Sequence, residues 1–199
     1  MSRSLAKKFL LRFAVGYVLL ASPWPFLHQS FSAYFRAFGD AIFGGQTGYS
    51  EISFESFADQ RWADQTRVVI VNKALMNYDG SGPVHNFDFD AHAVGWRPIA
   101  LLAALIFATP IPWGRRIRAF TFGILGIHVF LIVFLAVGIW SEANELPLAF
   151  FVPVTPFWKA VATGARTLLI SQIGLFLPVL VWGLVTFRVG DRIGEPSEI

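Results

Sequence analysis

The sequence predicts a membrane α-helical protein with four transmembrane helices and a small antiparallel β domain inserted between helices 1 and 2. Hydrophobic residues make up 55% of the chain and charged residues only 15%, a balance typical of membrane proteins. A helix needs about 20 mostly apolar residues to cross a bilayer. Four stretches approach this length, at residues 9–27, 98–113, 119–140 and 168–187.

The charges between these stretches alternate in sign along the chain. The N-terminus, the loop after the second stretch and the C-terminal tail together carry nine Lys and Arg and three Asp and Glu, whereas the two other segments carry seven and ten. Short loops rich in Lys and Arg stay in the cytoplasm. The sequence therefore predicts a multi-pass protein of the bacterial inner membrane with both termini cytoplasmic. Because this topology accounts for the net charge of +3, the basicity indicates no nucleic-acid partner.

Composition also divides the chain into three segments. The first is an N-terminal anchor, and we expect it to be retained because Arg12 interrupts its apolar core and no small-residue cleavage site precedes Pro23. The second is extracytoplasmic, and the third holds three of the apolar stretches together with an apolar outer loop at 141–165. The predicted boundaries are 1–27, 28–97 and 98–199.

Two periodicities follow one another in the extracytoplasmic segment. Apolar residues recur at three- and four-residue steps over 28–43, which predicts one apolar face of a helix. This helix lies either on the outer membrane surface or against the extramembrane domain. Beyond Gly44 and Gly45 the period changes to two, and residues 50–92 are expected to form a small antiparallel sheet of three or four strands.

The outer loop is too apolar for a freely solvated connection. Phe150, Phe151 and Trp158 are its largest apolar side chains, and an exposed apolar patch commonly marks an interaction site. We therefore expect these residues to bind a partner. The expected partners are the lipid bilayer and either another membrane protein or further copies of this chain.

His128 lies near the centre of the third stretch, where an ionisable group is costly and usually faces the bundle interior. Gln172 in the fourth stretch is the polar residue that could approach it. One interpretation is a contact with a proton or a substrate. The other is a neutral imidazole bonded to an oxygen between helices.

Asn86, Asp88, Asp90 and His92 fall on one face of a strand, because side chains alternate along it. Two carboxylates and one imidazole are possible divalent-cation ligands. A solvated strand face produces the same polar row without any metal. The sequence therefore favours no metal, with Asp88, Asp90 and His92 as the candidates if one binds, and it predicts no cofactor.

Arg97 and Arg166 lie at the outer entrances of predicted helices. An Arg at this depth can reach lipid phosphates with its charged end while its stem remains in apolar surroundings. Either residue could instead hold an acidic group of a substrate or partner.

Residues 94–136, VGWRPIALLAALIFATPIPWGRRIRAFTFGILGIHVFLIVFLA, resemble the central part of the exosortase/archaeosortase membrane proteins. In that family a short outer segment delivers a Cys-containing turn to the head of a helix, and a basic cytoplasmic turn follows that helix. The Cys would belong near residues 93–96, but this chain has no Cys. The resemblance therefore implies no transpeptidase activity. It implies an accessory membrane protein associated with such sorting systems in Gram-negative bacteria.

We accordingly expect a non-enzymatic accessory or assembly subunit of a bacterial inner-membrane complex, linked to an exosortase-like protein-sorting system. The alternative is a membrane-embedded enzyme or transporter that uses His128 and the outer-face arginines.

Overall fold

The computed structural model describes residues 3–22, 24–46, 50–56, 65–73, 76–77, 82, 84–145, 156–168 and 174–186. In chain order the elements are α1 (Arg3–Ala21), α2 (Pro25–Phe43), β1 (Gly45–Gln46), β2 (Ser50–Ser56), β3 (Gln65–Asn72), β4 (Val84–Asp90), a π-helical turn (His92–Trp96), α3 (Arg97–Ala108), α4 (Trp113–Glu145), α5 (Pro156–Leu168) and α6 (Gly174–Thr186).

The chain divides into two compact units. Unit 1 consists of residues 1–22, 97–129 and 174–199, and unit 2 consists of residues 23–96 and 130–173. The first half of α4 therefore belongs to unit 1 and its second half to unit 2.

Unit 1 is built around α3. This helix is apolar on all sides, and Leu102 and Ile106 are completely buried in it. It packs against α1 and α6, and Gly123 brings α4 so close that a Cβ there would stand 2.7 Å from the Leu102 side chain. A helix that is hydrophobic all round is stable when it is covered, and this packing covers most of α3, with Phe107 left 47% exposed.

The prediction of four transmembrane helices is wrong for this structure. Among the described residues, one helix, Trp113–Glu142, is long and apolar enough to cross a membrane. The segments Ser4–Ala21 and Phe26–Phe43 meet the same criterion only if both are counted as one broken span. Core helices of soluble proteins also meet this criterion, so the finding by itself is weak support for a membrane location.

The predicted stretches are wrong because helix length, and not only composition, decides a span. α3 has 12 residues and α6 has 13, which makes each about 18–20 Å long, whereas a hydrocarbon core is about 30 Å thick. Pro110 and Pro112 follow the end of α3 and prevent its continuation into α4. α1 is long enough, but it carries Lys7, Lys8 and Arg12 within its 19 residues.

Unit 2 contains the antiparallel sheet, in the order β1-β2-β3-β4. β1 is only two residues long. The register places Phe54, Val68 and Phe87 side by side on one face of the sheet, with Ile52, Ile70 and His85 in the next row. The segment that alternates in sequence therefore forms the predicted sheet, and Gly45, at φ +143°, adopts a backbone conformation that favours glycine.

α2 packs on this sheet, which matches the second of its two predicted placements. Phe35 is completely buried, and the aromatic ring of Phe54 lies where a Cβ on Gly39 would be, within 2.5 Å. The Phe54 N–H donates a hydrogen bond of 2.9 Å to Asp40 Oδ1. The extended conformation of Trp24 and the proline at the first helical position begin the helix.

The apolar outer loop predicted at 141–165 is partly helical. α4 continues to Glu145 and α5 begins at Pro156. Residues 146–155, which include Phe150 and Phe151, lie outside the described part of the chain.

Candidate functional site

The second half of α4 covers the inner face of β4 in unit 2. The rings of Phe89 and Phe134 lie 5.3 Å apart between centroids, and a Cβ on Gly138 would stand 3.1 Å from the Phe89 ring. The absence of a side chain at Gly138 thus allows the helix and the strand to approach closely.

His85 and Glu142 form a hydrogen-bonded contact further along the same helix–strand interface. His85 Nε2 is 2.7 Å from Glu142 Oε2, and the Glu142 side chain is only 7% exposed. Asn72, which is also buried, shares this face of the sheet because Ile70, two residues before it, is the register partner of His85. We call Asn72, His85 and Glu142 the buried polar cluster.

A carboxylate that holds an imidazole can orient it for proton transfer. The same pair also joins α4 to β4, since both groups lose solvation on burial and compensate each other only while they remain in contact. The cluster was not among the residues expected from the sequence. The available signal was Glu142 itself, which falls on the same helical face as Leu131, Leu135 and Gly138 and is the first charged residue on that face.

The predicted metal candidates do not converge. Asp88 Oδ1 pairs with Arg67 Nε at 3.1 Å on the outward face of the sheet, and Asp90 Oδ1 accepts the Ala93 N–H at 2.9 Å. His92 lies in the π-helical turn, where it is buried and stacks on His28 with 3.7 Å between ring centroids. Within the described residues, no group of three or more His, Asp and Glu side chains could hold a metal ion.

His128 bonds within its own helix. Its Nδ1 is 2.8 Å from the Ile124 carbonyl oxygen, one helical turn earlier, and the side chain is half-buried in unit 1. This contact is made within α4 and not between helices, and it keeps one ring nitrogen hydrogen-bonded. Gln172, its expected neighbour, lies outside the described residues.

The remaining candidates are Arg97, Arg166 and Trp158. Arg97 is exposed at the first position of α3. Arg166 and Trp158 lie in α5, but their side chains are not among those described. Among the described side chains of α5, the large apolar ones that are exposed are Phe157, at 67%, and Val161, at 39%.

Partial burial affects one further titratable group in unit 2. Desolvation raises the pKa of the Tyr34 phenol above its ordinary value, so this side chain is neutral at physiological pH.

No protein-family model matches this chain, and no curated protein or solved structure matches it either.

Proposed function

We propose that this protein is a non-enzymatic accessory or assembly subunit of a bacterial inner-membrane complex. The observation that carries the proposal is the apolar exterior of unit 1. The buried helix α3 is surrounded by helices whose outward side chains are also apolar, so the unit is hydrophobic inside and outside. Water would solvate such an exterior poorly, whereas lipid matches it.

The apolar exterior extends over three helices. Its members are large hydrophobic side chains that are 52–81% exposed: Leu10, Leu11, Val15, Val18 and Leu19 of α1, Ile117, Phe122, Leu125 and Val129 of α4, and Phe176, Leu180 and Leu184 of α6. Isolated exposed leucines are ordinary on soluble proteins, but a surface of this extent usually marks a protein or membrane contact.

The charges give the proposed orientation. Arg115, Arg116 and Arg118 lie in the first turns of α4, the one described helix that is both long and apolar enough to span, whereas Glu142 lies near its other end. Basic segments stay cytoplasmic, so α4 crosses outward from its N-terminal end.

The partner-binding surface that we propose is in unit 2. Phe157 is 67% and Val161 39% exposed on α5, and they lie one helical turn apart. Phe150, Phe151 and Trp158 precede or adjoin them in sequence and belong to the same proposed surface. The resemblance of residues 94–136 to exosortase-type proteins suggests a sorting complex as the setting.

Affinity purification of the tagged full-length protein in a mild detergent tests this function. We expect the protein to remain in the membrane pellet after alkaline carbonate extraction and to co-elute with a stoichiometric membrane protein. Phe157→Glu should abolish co-elution, because a charge replaces an exposed apolar contact.

The matched control is Thr163→Glu, an exposed position on the same helix. It should leave both membrane residence and co-elution intact. A monomeric, partner-free particle would contradict the subunit proposal, and complete extraction by carbonate would contradict the membrane location.

A further inference from the structure

We propose that one end of unit 1 is a binding surface for the headgroups of anionic phospholipids. The surface consists of Lys7, Lys8 and Arg118, supported by Arg115 and Arg116, and we call it the basic end. The proposal rests on the membrane location proposed above and adds a specific lipid class.

Contacts within unit 1 bring the basic segments of α1 and α4 to the same end. Phe9, next to Lys8, lies 6.3 Å from the Trp182 ring of α6, measured between centroids. Trp182 Nε1 donates to Thr109 Oγ1 at 3.0 Å. Arg116 Nη2 donates to the Thr109 carbonyl oxygen at 3.0 Å. The start of α1, the end of α3 and the start of α4 therefore lie at one level.

Two of the arginines donate hydrogen bonds to carbonyl oxygens at the ends of helices. Arg116 binds the carbonyl oxygen just beyond α3, and Arg115 Nη2 donates to the carbonyl oxygen of Thr186, the last residue of α6, at 3.3 Å. A cation at the C-terminal end of a helix offsets the partial negative charge there. These contacts hold the two guanidinium groups in place and keep their positive charge at the basic end.

The other three basic side chains of this end, Lys7, Lys8 and Arg118, are exposed. No Asp or Glu is present among the described residues of unit 1, whereas the described carboxylates all lie in unit 2. Within the described part of unit 1, the positive charges of the basic end therefore meet no carboxylate that could neutralise them. A lipid surface bearing phosphates supplies the complementary charge.

The neighbouring side chains fit the depth of a membrane interface. Trp113 is 66% exposed, and the Arg116 guanidinium lies 4.7 Å from the centre of its ring. Ile117, one turn further along α4, is 64% exposed. Tryptophan is enriched at the headgroup level, with apolar side chains directly below it. Basic, tryptophan and aliphatic side chains therefore occur together at this end, as they do at a membrane interface.

Thermal unfolding of the purified full-length protein in a neutral detergent tests the proposal. Phosphatidylglycerol should raise the Tm by about 3–8 °C, because a ligand that binds only the folded state stabilises it. Phosphatidylcholine, and inorganic phosphate at the same concentration, should raise it much less. High salt should reduce the effect of phosphatidylglycerol by screening the exposed charges.

The triple variant Lys7→Gln, Lys8→Gln and Arg118→Gln should lose the preference for phosphatidylglycerol, and Lys8→Gln should lose part of it. These side chains are exposed, so the variants should fold. Lys73→Gln, which removes the same charge from a lysine of unit 2, is the matched control and should keep the preference.

Equal stabilisation by both phospholipids would overturn the headgroup proposal while supporting the membrane location. Equal stabilisation by inorganic phosphate would assign the surface to free anions and would also overturn it. A response to no lipid, together with extraction by carbonate, would overturn both this proposal and the membrane location.

Discussion

Individual residues set how closely the elements of unit 2 can approach. Gly39 and Gly138 occur where an aromatic ring of the sheet, from Phe54 or Phe89, lies against a helix. A Cβ at Gly39 would overlap the Phe54 ring, whereas a Cβ at Gly138 would stand 3.1 Å from the Phe89 ring, which is tighter than an ordinary contact. Glycine lowers the helix propensity at these two positions, but it permits contact with a large aromatic ring.

Gly39→Ala should destabilise the protein by about 1–3 kcal/mol, because its methyl group would overlap the buried Phe54 ring. Thermal or denaturant unfolding in detergent measures the change. Gly183→Ala in α6 is the control, since nothing lies within 4 Å of a Cβ there. It should be neutral or slightly stabilising. Equal effects of the two substitutions would show that helix propensity, and not the ring contact, matters at Gly39.

His85 and Glu142 illustrate a pair whose value depends on both members. The carboxylate is nearly completely buried and the imidazole is about a quarter exposed. Removing the imidazole leaves the carboxylate without this partner, which costs more than the pair itself contributes.

His85→Leu should therefore lower the free energy of unfolding by about 1–3 kcal/mol. The double variant His85→Leu and Glu142→Leu should recover part of this loss, since it removes the buried charge as well. Glu55→Gln, on an exposed carboxylate of β2, is the control and should have little effect. Additive losses in the double variant would mean that the two side chains do not interact.

At the scale of whole elements, α4 is the helix that contributes residues to both units. It has 33 residues, which is about 50 Å at about 1.5 Å per residue and longer than a hydrocarbon core. Its basic start belongs to unit 1, and its end covers the sheet in unit 2. A helix of this length can cross a bilayer and still extend beyond it.

Single cysteines introduced into this cysteine-free chain would test that arrangement. In intact spheroplasts, a membrane-impermeant maleimide should label Glu145→Cys at the C-terminal end of α4. It should label Arg118→Cys only after lysis, and Leu125→Cys in neither case because lipid covers that position. Labelling of Leu125→Cys without detergent would contradict the span, and labelling of Arg118→Cys in intact spheroplasts would contradict the orientation.

At the scale of the molecule, charge and hydropathy are segregated between the two units. Unit 1 has apolar side chains inside and outside and no described carboxylate, whereas unit 2 has a buried sheet face and a polar one with the Arg67–Asp88 pair. This difference is the common basis of the two proposals. The first assigns the apolar exterior to lipid tails, and the second assigns the basic end to lipid headgroups.

Much of unit 2 could be predicted from the sequence because its elements have strong periods. The alternation over β4 exposes Asn86, Asp88 and Asp90 and turns Phe87 and Phe89 inward. The amphipathic pattern predicted at 28–43 lies within α2, which begins three residues earlier at Pro25. His92 departs from the predicted polar face because the strand ends at Asp90 and a π-helical turn reverses the side-chain direction.

The candidate site was less predictable. His85 and Glu142 are 57 residues apart in sequence, and the residues beside each of them do not predict the contact. The sequence predicted too many transmembrane helices in unit 1, because an apolar stretch indicates only composition. The length of a helix depends on where its backbone hydrogen bonds end.

By itself, the sequence determined which residues are apolar, which strand and helix faces they share, and where charges of each sign concentrate. These properties are local, since they follow from side-chain chemistry and from backbone periods of 2 and 3.6 residues. Only the tertiary structure decided that most of α3 is buried, that one described helix is both long and apolar enough to span, and that Glu142 binds His85. Such contacts join segments that are distant in sequence. The periodicity of a sequence shows which face of a helix or strand is buried, but not which segment buries it.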